Sequence, residues 1–431
     1  MPPQYSDSAQ SKLHAIISKL PLTMESEHFL IRYGLRNPPQ GKGLGASGIQ
    51  DRGLLLTYVK ALERLHKTMT ESPWNRPFPQ TGDSGKTPIY VFNISELTPF
   101  DGSPFTDTDL NDVPFICLPS RSFEPSMQDE MHRAAAEAVH EATHVFNYRH
   151  RPRYHLHSKP WDWLDEALAV FMETHLIPGN HDHLRFLRNW IEMPEVPLND
   201  WSARYQAGMF IYYLEKCVPG LANKVWVESL LTEDPIKAFS RLLPETTRSG
   251  DVFVSHAPDV HDLFASGYCM DSYFLWDHNS ASLAPELYVR YGERSVTESF
   301  VLRPGQHESS GSQLLDHLAC RYFRFYLKGN VTNLQVEVRA DKSQTISPLK
   351  AELAIVNSEL RRERNAIALR SELVETGRPA QILTAEINRI SCETTDHVVL
   401  VVTNCGTRPT QPNSRIEHDD GRLFEVRVSA S

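Results

Sequence analysis

The chain has no excess of basic residues. Its 431 residues include 44 Lys and Arg against 54 Asp and Glu, which gives a formal net charge of −10. A protein that binds nucleic acid non-specifically needs a positively charged face to neutralise phosphates. We therefore expect no nucleic-acid partner.

Long apolar runs are also missing. No stretch approaches the ~18–20 apolar residues that span a bilayer. The N-terminal sequence MPPQYSDSAQSKLHAIISKL lacks the uninterrupted apolar segment that is typical of a secretory signal. Together these features predict a protein with no membrane partner and a cytoplasmic location.

Paired cysteines are absent as well. The six cysteines are scattered and form no Cys-x-x-Cys pair, so a zinc ribbon is excluded and the fold does not require disulfides. The chain is nevertheless rich enough in apolar residues, at 40%, to build an ordinary globular core. Its length exceeds that of a usual single domain, so we expect two domains.

The most informative sequence that is present runs His140-Glu141-Ala142-Thr143-His144. Positions four apart on a helix lie one turn apart on the same face. Two imidazoles at such positions can share one Zn²⁺, and the glutamate between them can reach a water on the metal. This pattern predicts His140 and His144 as metal ligands and Glu141 as a general base.

The residues around this motif favour a helix. Residues 128–148 are rich in alanine and contain neither Pro nor Gly. Asp129 and Glu130 suit the first turn, where the helix dipole stabilises anions. The motif is therefore expected in the middle of a helix, as a shared metal requires.

A second helix is predicted over 161–173, and Pro178 and Gly179 follow it as breakers. Twenty-one residues separate its Glu166 from His144. This separation suits a helix, a loop and an antiparallel helix that returns to the metal. A catalytic zinc site takes three protein ligands and keeps one open position. We therefore predict Glu166 as the third ligand.

The His-Glu-x-x-His helix followed by Trp163-Leu164-Asp165-Glu166-Ala167 resembles the gluzincin group of zinc metallopeptidases, and in particular the catalytic core of the M1 aminopeptidases. The resemblance implies a zinc cofactor held by His140, His144 and Glu166. It implies that Glu141 is the base and that Glu173 supports a ligand or the helix packing.

A further segment, which begins at Tyr205 and has Gly208 three positions on, is similar to the M1 Tyr-x-x-Gly helix. In that group the tyrosine stabilises the oxyanion, so the resemblance implies a catalytic role for Tyr205. The Gly-x-Met-Glu-Asn segment that anchors a substrate amine in M1 enzymes is missing from this chain. The resemblance therefore supports the clan and not aminopeptidase specificity.

Other histidines crowd the same stretch of sequence, and one of them could replace Glu166 or act as a second electrophile. They are His150, His155, His157, His175, His181 and His183.

The predicted fold class is α+β, with a zincin-like catalytic domain over 1–300 and a C-terminal all-β sandwich over 305–431. The catalytic domain comprises an upper subdomain with a mixed sheet and the metal helices, about 25–183, and a helical lower subdomain, 184–300. Strands are predicted at 28–34, 88–92 and 114–118, with helices at 51–71, 205–217, 220–231, 235–243, 260–275 and 284–300. Within the sandwich, strands are predicted at 321–327, 334–339, 349–356, 380–387, 398–403 and 423–428, with a loop or short helix at 361–364 and 372–378.

The segment 115–118 is expected to be the edge of the upper sheet, where an extended peptide can add as a further strand. The predicted function is zinc-dependent hydrolysis of peptide bonds, as an endopeptidase rather than an aminopeptidase, with a peptide or protein substrate as partner. Two alternatives stay open: a zinc hydrolase or lyase for a small non-peptide substrate, and a non-catalytic binding protein. The sequence leaves the oligomeric state open.

Overall fold

The computed structural model of the protein describes residues 7–36, 48–49, 52–76, 85–97, 103–109, 113–120, 128–149, 162–178, 186, 193–217, 219–229, 235, 238, 242, 296–316, 319–341, 349–357, 365–368, 370–374, 380–391, 395–404 and 421–431. The chain divides into two compact units. One comprises 1–186 and 207–235, and the other comprises 187–206 and 236–431. The class is α+β with a β-rich C-terminal region, as predicted.

Over its described residues, the first unit contains helices and one mixed sheet. Its helices in the described residues are α1 (Asp7–Ile17), α2 (Arg52–Thr70), α3 (Gln128–Arg149), α4 (Asp162–Leu176), α5 (Ala207–Cys217) and α6 (Leu221–Ser229). Its strands are β1 (Leu22–Glu25), β2 (Phe29–Tyr33), β3 (Thr87–Phe92), β4 (Phe105–Thr108) and β5 (Pro114–Pro119).

The sheet of the first unit has the order β1-β2-β3-β5-β4. Strands β2, β3 and β5 are parallel, whereas β1 and β4 run antiparallel to their neighbours at the two ends. Parallel neighbours need a crossover, which α2 supplies between β2 and β3. Every residue of β5 is buried, as expected of a central strand whose two faces are both covered.

The prediction that 115–118 forms the sheet edge is wrong. Strand β4 pairs with β5 on its outer side, from Phe105 opposite Cys117 to Thr108 opposite Pro114. The segment 105–108 reads FTDT, which is short and has a single apolar residue, so its apolar pattern is too weak to predict a strand.

The helices of the first unit pack in chain order. Helix α2 contacts α3, α3 contacts α4, α4 contacts α5, and α3 also lies against β5 and β4. The phenolic oxygen of Tyr58 on α2 donates to the carbonyl of Pro119 at 2.8 Å, which ties that helix to β5. Helix α1 shares a separate cluster with the sheet, built on Leu13, Phe92 and Phe115.

In its described residues, the second unit contains two sheets. Its strands are β6 (Val296–Leu302), β7 (His307–Ser309), β8 (Gln313–Leu315), β9 (Ala319–Leu327), β10 (Asn333–Asp341), β11 (Leu349–Asn357), β12 (Asn365–Ala368), β13 (Arg370–Val374), β14 (Ala380–Asn388), β15 (Thr395–Asn404) and β16 (Arg422–Ala430). One sheet has the order β13-β14-β10-β16-β7, with β8 also on β16, and the other has the order β12-β11-β15-β9-β6. Both sheets contribute side chains to one hydrophobic core, which includes Phe323, Leu400 and Val426.

Two other predictions for this region are wrong. The helix predicted at 284–300 is instead strand β6 over its described part, and this strand pairs in parallel with β9. The polar segment at 372–378 was predicted as a loop or short helix. Its described part, 372–374, instead belongs to strand β13, which pairs with β14. The predicted helix at 260–275 lies outside the described residues.

Within the described part of the chain, no helix combines the length and the apolar character needed to cross a bilayer.

Candidate metal centre

Two neighbouring helices bring the three predicted ligands together. His140 and His144 lie one turn apart on α3, with ring centroids 4.9 Å apart and ring planes at 77°. Glu166 projects from the first half of α4, which packs against α3. One potential ligand atom from each of the three residues falls within 4.8 Å of the others.

The distances between these atoms suit a single dication. Oε2 of Glu166 lies 3.1 Å from Nε2 of His140 and 3.6 Å from Nε2 of His144. Zinc bonds of about 2.0–2.1 Å at tetrahedral angles place two ligand atoms about 3.4 Å apart. The two observed separations lie on either side of that value. The donor set therefore fits a divalent ion such as Zn²⁺, and these three residues would supply the three protein ligands of a catalytic site.

A carboxylate lies behind each imidazole. Nδ1 of His140 is hydrogen-bonded to Oε1 of Glu173 at 2.5 Å. Nδ1 of His144 lies 3.0 Å from Oδ2 of Asp165, an ion-pair contact that is not aligned as a hydrogen bond. Such partners fix the imidazole tautomer, so that Nε2 presents its lone pair to a metal.

The charges around the two imidazoles favour a cation. Burial lowers the pKa of His140, but hydrogen bonds with Glu166 and Glu173 outweigh burial and raise that pKa to about 10. Burial raises the pKa of Glu166, yet its contacts with the two imidazoles hold it well below the usual value. Three carboxylates thus surround two imidazoles, and a bound dication would balance this negative charge.

Glu141 lies on α3 between the two histidines and is almost fully buried, with 6% of its surface exposed. The pKa of its carboxyl group is raised, and burial is the largest cause of this shift. Oγ1 of Thr106, on β4, lies 2.8 Å from Oε2 of Glu141 and 2.8 Å from its backbone carbonyl. The edge strand therefore holds the carboxylate that was predicted as the base.

A buried polar chain continues away from Asp165. Nδ2 of Asn147 donates to Oδ1 of Asp165 at 2.7 Å, and Nη1 of Arg76 donates to Oδ1 of Asn147. Nε of Arg76 donates in turn to Oδ1 of Asn223 on α6. Burial lowers the pKa of Arg76 to about 9, while the charges of Asp165 and Glu215 act in the opposite direction.

The other predicted site residues do not join this group of ligands in the described part of the chain. Tyr205 lies in a turn before α5 rather than inside a helix, with the guanidinium of Arg204 4.4 Å from its ring centroid. Its catalytic role stays a prediction. His175 is exposed on α4, stacks on Phe171 at 5.4 Å between ring centroids, and does not replace Glu166. His150, His155, His157, His181 and His183 lie outside the described residues.

Sequence reasoning missed Thr106, Asp165, Asn147 and Arg76. Asp165 immediately precedes Glu166 and could have been found from the motif alone. The other three come from β4, from the last turns of α3 and from the segment after α2. No local pattern connects such distant positions, so only the packing of the helices reveals them.

No protein-family model and no curated protein matches the chain. Among solved structures, the pre-peptidase C-terminal domain of a collagenase from Bacillus anthracis has 10% identity, covers 31% of this chain and 94% of its own, and gives a TM-score of 0.18. The insecticidal delta-endotoxin Cry8Ea1 from Bacillus thuringiensis has 10% identity, with 30% and 20% covered and a TM-score of 0.14. The family GH115 4-O-methyl-α-glucuronidase BtGH115A has 10% identity, with 71% and 39% covered and a TM-score of 0.18. Likenesses this distant carry no argument about function.

Proposed function

We propose that the protein is a zinc-dependent hydrolase of peptide bonds with a zincin-like catalytic unit. The observation that carries this proposal is the convergence of Nε2 of His140, Nε2 of His144 and Oε2 of Glu166. The buried carboxylate of Glu141 follows His140 on the same helix. A binding protein that only held a metal would need the three ligands but not this fourth carboxylate.

In this proposal His140, His144 and Glu166 hold the zinc ion. When bound, zinc lowers the pKa of a coordinated water towards ~7 and polarises a substrate carbonyl. Glu141 accepts the proton of the attacking water and passes it to the leaving amine. Burial raises the pKa of this carboxyl group above its usual value, and a general base benefits from a shift in that direction.

The position of strand β4 at the sheet edge is an argument for an extended peptide as the substrate. Strand β4 is the last strand of its sheet in the described part of the chain, and its Thr106 contacts Glu141. A peptide that paired with this edge would bring its backbone carbonyls close to the base. A small metabolite has no extended backbone and could not pair with a strand edge in this way. Tyr205 is proposed to donate a hydrogen bond to the oxyanion.

Internal cleavage is proposed over removal of N-terminal residues. The chain lacks the Gly-x-Met-Glu-Asn segment that holds a free substrate amine in M1 enzymes, and Met24-Glu25-Ser26 does not reproduce it. Without such an anchor, the position of the scissile bond depends on the strand edge and not on the substrate's terminus. Peptides with blocked amines should therefore be cleaved as well as free ones.

The direct test replaces Glu141 with Gln in the full-length chain. We expect zinc content close to wild type by elemental analysis and a loss of peptide hydrolysis of about 10²–10⁴-fold, the usual contribution of a general base. Glu130→Gln, on the same helix and away from the ligands, is the matched control and should keep both properties. Undiminished hydrolysis by the Glu141→Gln variant would refute the assignment.

Substrate class needs a separate measurement. A library of internally quenched peptides with free or blocked N-termini should be cleaved, whereas a panel of small esters and amides should not. Turnover confined to the small-molecule panel would instead establish a non-peptide hydrolase on the same metal site. His140→Asn should abolish zinc binding at the α3–α4 centre and turnover together.

A further inference from the structure

A second group of metal-ligating side chains lies in the first unit and shares no residue with the α3–α4 centre. His28 directly precedes β2, while Glu63 and His66 lie one turn apart on α2. One potential ligand atom from each falls within 4.8 Å of the others. None of the three belongs to the motif helices, and the sequence patterns gave them no role.

Glu63 holds the group together through two contacts with His28. Its Oε2 lies 2.6 Å from Nδ1 of His28, and its Oε1 accepts the backbone N–H of His28 at 3.0 Å. The side chains of His28 and Glu63 are each 25% exposed, so solvent and ions can reach them. Glu27, largely exposed, lies 3.7 Å from Nε2 of His28 and adds a further oxygen nearby.

The two imidazoles are stacked on each other. Their ring centroids are 3.4 Å apart with planes at 14°, and His66 also lies 6.2 Å from the ring of Phe146. Two protonated imidazoles would repel each other at this distance, so at least one ring is neutral. The stack keeps two nitrogen ligands beside one carboxylate.

The charge states suit metal binding. Burial lowers the pKa of His66 to about 4, and the charge of His28 adds to that effect. Burial opposes ionisation of Glu63, but its hydrogen bond with His28 keeps its pKa below the usual value. At neutral pH the group therefore contains a neutral imidazole and an ionised carboxylate, which are the forms that bind metals.

We propose that His28, Glu63 and His66 form a second binding site for a first-row transition-metal dication. Two imidazoles and a carboxylate are borderline ligands of the kind that Co²⁺, Ni²⁺, Cu²⁺ and Zn²⁺ accept. A metal here would join the start of β2 to the middle of α2. This proposal is independent of the proposed peptidase activity, since the two sites share no residue.

The stacked rings set the relative affinity of this site. An imidazole nitrogen donates through a lone pair in the plane of its ring, so two parallel rings do not aim at one point. A bound metal must turn one ring out of the stack. At the α3–α4 centre the planes already meet at 77°, so no such rearrangement is needed there. The second site should bind more weakly than the first.

The test is a Co²⁺ titration of the chelator-treated full-length chain, followed by calorimetry and visible absorption. We expect two equivalents to bind, the second at least tenfold more weakly than the first. His66→Asn should lose only the weaker equivalent, and the double variant His140→Asn, His144→Asn should lose only the tighter one. His14→Asn, at an exposed histidine of α1, should keep both.

The retained tight equivalent in His66→Asn reports that the chain is folded. If that variant loses both equivalents, Glu63→Gln decides: loss of the weaker equivalent alone supports the site, and retention of both overturns it. A wild-type chain that binds a single equivalent, or a His66→Asn variant that binds two, also overturns it. Stoichiometry is the readout, so a lack of peptidase activity would not affect the result.

Discussion

The guanidinium of Arg76 and the side-chain amide of Asn147 form a buried pair behind the candidate metal centre. Nη1 of Arg76 donates to Oδ1 of Asn147, which leaves the amide NH₂ of Asn147 directed at Asp165. Asp165 lies in turn 3.0 Å from Nδ1 of His144. Because Arg76 can only donate, it fixes which end of the Asn147 amide faces Asp165.

We predict that Asn147→Leu weakens zinc binding about 10–100-fold, the usual effect of losing an outer-shell partner. The substitution leaves Asp165 without its amide donor, so His144 is less firmly oriented. Competition with a chromogenic chelator measures the affinity. Asn223→Leu is the matched control, because it removes the other partner of Arg76 but keeps the bond from Asn147 to Asp165.

Both substitutions should lower the free energy of unfolding by about 1–3 kcal/mol, since each leaves a buried donor of Arg76 unsatisfied. Only Asn147→Leu should change the zinc affinity strongly. Equal losses of affinity in the two variants would show that the network acts through general stability and not through Asp165.

Thr106→Val should slow turnover while leaving zinc content unchanged. The hydroxyl of Thr106 is the contact that β4 makes with the carboxylate of Glu141, and valine keeps its shape without the hydrogen bond. We expect kcat to fall about tenfold, consistent with the loss of one hydrogen bond to a charged group. Steady-state kinetics on a quenched peptide provide the measurement.

Thr108→Val, on the same strand and half-buried, is the control for Thr106→Val. It should leave kcat close to wild type. A Thr106→Val enzyme with normal kcat would show that Glu141 is positioned by its helix alone.

Gly208→Ala should destabilise the first unit. A Cβ at position 208 would lie 2.7 Å from Cβ and Cγ1 of Val170 and 3.2 Å from the carbonyl oxygen of Ala167. Helix α5 would have to move away from α4, at a cost of about 1–3 kcal/mol for an overpacked core. Gly311→Ala, where a Cβ would meet nothing within 4 Å, is the control and should stay within about 0.5 kcal/mol of wild type.

Denaturant unfolding of the two glycine variants and of wild type measures both changes in the free energy of unfolding. Since α4 carries Glu166, zinc affinity should fall together with stability in Gly208→Ala. A Gly208→Ala chain as stable as wild type would show that α5 does not press on α4 in solution.

The stacked His66 should make the metal-free protein sensitive to acid. Its folded pKa, about 4, lies below the ordinary value of 6.5, so between these values the unfolded chain binds more protons. The contribution of the neutral His66 to the free energy of unfolding is therefore complete above pH 6.5 and is lost as the pH falls towards 4. Glu63, whose pKa is also lowered, acts in the same direction at lower pH.

His66→Asn should remove about 1 kcal/mol of this pH dependence, a value reduced for the partial exposure of the imidazole. Unfolding midpoints at pH 7 and pH 4.5 in the presence of a chelator measure it. His14→Asn serves as the exposed control. Identical pH dependence in His66→Asn and wild type would contradict the effect.

Much of the secondary structure follows from local patterns. Alanine-rich spacing without Pro or Gly predicts the motif helix over 128–148, and the structure forms it at Gln128–Arg149. Leu54, Leu55 and Tyr58 recur at helical spacing, and α2 buries all three. The predicted strands at 88–92 and 380–387 are formed as Thr87–Phe92 and Ala380–Asn388.

The failures occur where tertiary contacts outweigh local pattern. β4 is too short and polar to predict, and it becomes a strand only because β5 offers a partner. β6 has alternating exposure late in the strand, but its parallel pairing with β9 could not be inferred from the segment alone. β13, polar in sequence, is likewise a strand because β14 lies beside it.

The sequence alone determined which helices carry His140, His144 and Glu166, because a period of 3.6 residues is a property of the local chain. It could not determine that Thr106 meets Glu141, or that Arg76 reaches Asp165 through Asn147. These partners are far apart in sequence, and only the packing of β4, α3 and α4 brings them within hydrogen-bonding distance. The same holds for His28, Glu63 and His66: their proximity arises from contacts between the residue before β2 and helix α2, which no short pattern encodes.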